Sequence, residues 1–195
     1  MFTQMRSPLF AAAIVSLIAP IPLVSAAPVP GVVYTVILPA GEFGSQAFTA
    51  AMVGSFAAAK KFCAEIGDTA YRVDCLAERF GVIAGTVPRD SDYADLQKVL
   101  KTTSDRLAAL ARANRDPNLP RGRATRPGAK PETTTRPLTP VAPAASAKVN
   151  QQAQAILQET QTLLLRSAES SKSKQVQYAR IADAIGSNKV LLRAA

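Results

Sequence analysis

Residues 45–80 read SQAFTAAMVGSFAAAKKFCAEIGDTAYRVDCLAERF, and two helical patterns meet in them. Ser45 is a good N-cap, because its hydroxyl can accept from a first-turn amide. From there Phe48, Met52, Phe56, Ala59, Phe62 and Ile66 recur at steps of three and four, one apolar stripe on a helix face. Gly67-Asp68 reads as a C′ glycine followed by the N-cap of a second helix. That helix carries Leu76, Phe80, Ile83 and Val87 and is closed by residues 85–88. Asp90 or Ser91 then caps a third helix, with Asp92 and Asp95 in its first turn, where the helix dipole favours acids. Its stripe is Tyr93, Leu96, Leu100, Thr103, Leu107 and Leu110. Three such faces bury one another, so residues 45–114 predict an antiparallel three-helix bundle and the chain is all-α.

The two cysteines stand on either side of the Gly67 turn. In one unbroken helix Cys63 and Cys75 would lie about 18 Å apart, whereas a disulfide needs Cα atoms within roughly 7 Å. A chain reversal at Gly67 brings them together, and a Cys63–Cys75 disulfide is expected.

Upstream, residues 1–26 have the form of a secretory signal peptide. Arg6 is followed by the apolar run LFAAAIVSLIA, then Pro20 and Pro22, then the small-x-small pattern Val24-Ser25-Ala26. Cleavage after Ala26 is expected, with a periplasmic or secreted location, an oxidising one that suits the disulfide. Residues 27–44 (APVPGVVYTVILPAGEFG) form an apolar, β-branched run expected to be an extended arm lying on the helices. Past the leader no stretch has 18 uninterrupted apolar residues, so no membrane span is expected.

Downstream, residues 115–147 hold seven of the 14 prolines and six basic residues against Asp116 and Glu132. Leu119, Leu138 and Val141 are the only large apolar residues there. Such a stretch reads as a disordered, basic, Pro-rich linker of polyproline character. Residues 148–195 return to helical spacing, with Val149, Ile156, Leu163 and Leu164 in one helix and Val176, Tyr178, Ile181 and Ile185 in a second. This C-terminal helical pair is too small to stand alone; it is expected to pack on the first bundle or to self-associate.

The 195 residues include no histidine and no tryptophan, and the formal charge is +9. Without histidine the commonest general base and zinc ligand are missing, as is every Ser-His-Asp arrangement. Asp74 and Glu78, four apart, share a helix face and could in principle serve as a carboxylate pair, though a solvated face explains them more simply. Asp90, Asp92 and Asp95 fail the EF-hand spacing, because Asp95 stands where the loop needs glycine. Ser171-Lys172-Ser173-Lys174 contains Ser-x-x-Lys without its companion motifs. No phosphate-binding glycine pattern is present. Neither a metal nor a cofactor is expected. The densest basic cluster is Arg121, Arg123, Arg126 and Lys130, a candidate contact for an anionic envelope surface; nucleic acid is not an expected partner of an exported chain.

Residues 71–80 (YRVDCLAERF) and 185–193 (IGSNKVLLR) resemble segments of uncharacterised exported helical proteins of Gram-negative bacteria. The resemblance implies an envelope or secreted context and brings no activity. The sequence thus points to a non-enzymatic exported protein acting in interaction or scaffolding at the cell envelope, through an unknown protein partner or an anionic surface. The alternative is a small carboxylate-dependent envelope enzyme built on Asp74 and Glu78.

Overall fold

The computed structural model describes residues 45–89, 93–127, 131–169 and 172–193, without the Ser173 side chain. The signal peptide and extended arm expected over residues 1–44 lie outside these, as do Asp90, Ser91, Asp92, Lys130, Ser170 and Ser171.

The described residues are mostly helical. Helix α1 (Gln46–Ala64) starts where the sequence places it: Ser45 Oγ accepts from the Phe48 amide at 3.1 Å. Gly67 does not take the left-handed conformation expected of a C′ glycine. The chain instead turns through Asp68, whose carboxylate accepts from the Ala70 amide and starts a 3-10 turn, Thr69–Tyr71, that runs directly into α2 (Arg72–Thr86). Helix α3 is Ala94–Ala113, α4 is Pro143–Ser167, α5 is Lys172–Ser187 and α6 is the short Lys189–Arg193. Helix α4 starts five residues before Lys148. Pro143 opens α4, where a residue without N–H loses nothing.

Helices α2, α3 and α4 run antiparallel in turn, as the pairs Gln97–Val87 with Ser104–Ala77 and Thr103–Thr160 with Arg106–Glu159 require. Cys63 and Cys75 are at disulfide distance, with Cα atoms 5.8 Å apart, and fix α1 to α2. Ser104 Oγ donates to the Ala77 carbonyl between α3 and α2, in register with Gln97 donating to Val87. There a Cβ on Gly81 would meet Ser104 Oγ at 2.9 Å, so a larger residue would displace the hydroxyl from its bond to Ala77. The Thr103 and Thr160 hydroxyls meet at 2.7 Å between α3 and α4, and Gln161 on α4 donates to Ala182 on α5. Helix α5 then packs back against α1. The result is a closed ring of five helices around one core, in which Phe56, Phe62, Phe80, Leu76, Leu100, Leu157 and Tyr178 are buried. The C-terminal helices complete the first bundle.

Residues 115–142 differ from the expected disordered linker. They form an antiparallel ribbon, bridged at Arg115–Val141 and Gly122–Leu138 and paired as β1 (Thr125–Arg126) with β2 (Glu132–Thr133). Leu138 and Val141 are buried, each worth about 1.5–3 kcal/mol. The order of this stretch comes from polar contacts to α2, which composition does not register.

Candidate functional site

The returning arm of the ribbon descends α2 contact by contact. Glu132 reaches Arg79, Thr135 reaches Glu78, Arg136 and Thr139 reach Asp74, and the Val141 amide donates to the Ala70 carbonyl. Residues 73–80 are consequently buried without a break. Helix α2 has α1 and α3 on two sides and the ribbon on a third. The solvated face expected for Asp74 and Glu78 does not exist.

The charge inside this contact is balanced: Asp74, Glu78 and Glu132 oppose Arg79, Arg126 and Arg136. Arg136 grips Asp74 with both terminal nitrogens at 2.7 Å, and the Thr139 amide donates to the same carboxylate at 2.7 Å. Glu78 accepts from the Arg79 guanidinium and from both the amide and the hydroxyl of Thr135, each of these at 2.8 Å. Arg79 bridges on to Glu132, which also pairs with Arg126 at 2.9 Å. The Arg79 guanidinium lies 4.7 Å from the Phe62 ring centre, a cation–π contact that seats it. Burial pushes the Glu78 carboxyl up; the hydrogen bonds from Arg79 and Thr135 outweigh it and hold the group below the usual carboxylate range. For Arg136 the hydrogen bond to Asp74 outweighs burial and holds the guanidinium above its ordinary value.

Every oxygen of these three carboxylates accepts at least one hydrogen bond from the protein. A fully paired buried network of this kind fixes one arrangement of the chain. All three acids are thereby committed to protein partners in this arrangement. Asp74 and Glu78 are brought together with a third carboxylate, as an enzyme would need, but each is neutralised by arginine. Among the described residues no group of three or more Cys, Asp or Glu side chains is placed to hold a metal ion.

The expected basic cluster is divided. Arg121 and Arg123 are exposed, with Arg123 also donating to the Thr134 carbonyl at 2.8 Å. Arg126 faces inward and is used by Glu132, with Glu65 at 3.9 Å. Lys130 lies outside the described residues. Sequence reading missed Arg79, Glu132, Thr135, Arg136 and Thr139. A signal was present: the run Glu132-Thr-Thr-Thr-Arg136 carries charges complementary to Asp74, Glu78 and Arg79, but no local pattern pairs segments so far apart.

Beside the outgoing arm of the ribbon lie two adjoining open clefts of about 250 Å³ each. Phe62, Glu65, Arg126 and Pro127 line the first, Asp68, Tyr71, Gly122 and Leu138 the second, and Ile66 and Ala124 line both. Tyr71 fixes this edge by donating its hydroxyl to the Pro120 carbonyl at 2.6 Å. No helix among the described residues is long and apolar enough to cross a membrane. No protein-family model matches the chain, nor does any curated protein or solved structure.

Proposed function

We propose that this is a non-enzymatic exported protein that works by interaction at the cell envelope, with the ribbon as a rigid presenting element. One observation carries the reading: the site where carboxylates converge is fully neutralised by arginines and backbone amides, so it acts as a lock. The lock holds the ribbon on α2 with Arg121 and Arg123 turned outward. Export is supported by the leader-like pattern of residues 1–26 and is compatible with a cysteine pair at disulfide distance.

Two exposed arginines near an anionic surface contribute around 1 kcal/mol each, falling off within a Debye length. Binding through them is therefore weak and sensitive to salt. Co-sedimentation with vesicles containing phosphatidylglycerol, at low and high salt, tests this. The parent is expected to bind at low salt and release at high salt, and the Arg121→Ser/Arg123→Ser variant to bind less. Equal binding by both removes the ribbon from the contact, and no binding by the parent at low salt leaves a protein partner in place of the surface.

A further inference from the structure

The ribbon has two long edges. The returning arm lies on α2, whereas the outgoing arm, residues 122–126, borders the two clefts. In an antiparallel ladder alternate residues direct their backbone groups to opposite edges. Gly122 exchanges hydrogen bonds with Leu138, and Ala124 bonds to Thr134 through both its carbonyl and its amide. By the register of the ladder, Arg123 and Thr125 therefore direct their amides and carbonyls to the outer edge of the ribbon, and the two residues line the clefts there. The clefts have an apolar floor from Phe62, Ile66, Ala124 and Leu138, and Gly122 and Ala124 keep them open. An outer strand edge beside an apolar trough is the arrangement that accepts an added strand.

This chain contains a segment of the matching chemistry. Residues 32–37 (VVYTVI) are uncharged and mostly β-branched, a composition of high strand preference. Reach decides which copy supplies it. Ser45 caps the far end of α1, and from there to Phe62 the helix rises about 26 Å. The chain from Ile37 to Ser45 spans about 26–29 Å at full stretch, and it passes through Pro39, Gly41 and Gly44. A copy's own segment would reach only the near end of its clefts, and only when drawn taut; the segment of a second copy has no such limit.

We propose that residues 32–37 of one molecule add as a strand to the Arg123–Thr125 edge of another. Done reciprocally, the exchange closes a two-fold dimer and leaves no free edge to propagate. This goes beyond the envelope reading and stands without it. The test is light scattering on the chain from Ala27 over about 1 µM to 1 mM, the range of weak interfaces. The parent is expected to dimerise. Thr35→Pro, which blocks strand pairing by the segment, and Gly122→Leu, whose side chain projects into open space, are each expected to weaken the dimer at least tenfold with an unchanged circular dichroism spectrum. A parent that stays monomeric overturns the proposal, as does a dimer that persists in either variant.

Discussion

Removing Arg136 tests the central claim, that paired charge and not apolar area holds the ribbon in place. In the Arg136→Ala variant the Asp74 carboxylate, which is 0% exposed, keeps only the Thr139 amide. Breaking a buried ion pair from one side costs about 3–5 kcal/mol when the remaining charge stays dry. The Arg136 side chain is 34% exposed, so its removal admits water to one side of Asp74. That screening brings the expected loss down to about 2–3 kcal/mol, or about 4–12 °C in melting temperature for a chain of this size. Asp74→Asn is the instructive partner. It leaves an arginine that can turn to water, so it is expected to cost less, about 1–2 kcal/mol. The double variant should resemble Asp74→Asn alone, because most of the Arg136→Ala penalty is the stranded carboxylate. Urea denaturation at pH 7, followed by circular dichroism on the oxidised protein, measures all three. A loss under about 0.5 kcal/mol for Arg136→Ala, or a larger loss for Asp74→Asn, would refute the reasoning.

The Glu78 carboxyl is held below its ordinary range in the folded protein, so its contribution is complete above the unfolded pKa of about 4.3 and is lost as pH falls through the lower folded value. The stability gap between parent and Glu78→Gln is therefore expected to be full at neutral pH and to shrink in acid; a gap independent of pH contradicts the assignment. Cys63 and Cys75 are fully buried and close a loop with a sequence separation of 12, so the Cys63→Ser/Cys75→Ser variant is expected to lose about 3 kcal/mol, and thiol titration of the unfolded, unreduced parent to find no free thiol. Trypsin is expected to cut first at the exposed Arg121 or Arg123, but the halves should co-elute in gel filtration, because α4 packs on α3 and α5 on α1; separated fragments would mean the ring is not closed.

The helices were legible because their information is local. The Ser45 cap and the stripe Phe48, Met52, Phe56, Ala59, Phe62 and Ile66 report a helix within one window; the first five are buried on α1, whereas Ile66 falls past its end and is half-buried. The pairing of Cys63 with Cys75 was legible for the same reason, since a turn between them was visible. The ribbon was not, because its order depends on a register between residues about 60 positions apart. Its prolines and scarce apolar residues suggest a linker, whereas the residues pair as a ribbon. Asp74 and Glu78 were noticed as a pair on one face, yet only the complementary charges of Arg136 and Arg79 in three dimensions show what that face is for.

The continuous burial of residues 73–80 also bears on how the protein can change over generations. An ordinary amphipathic helix offers about half of its positions to water, and those drift freely. This stretch offers none. A replacement at Leu76 or Phe80 opens a cavity, one at Asp74 or Glu78 strands an arginine, and a larger residue at the fully buried Ala77 overpacks the core. Substitutions that persist should gather instead on the outer positions of α1 and α4, leaving α2 and its ribbon partners to change, when they do, as matched pairs.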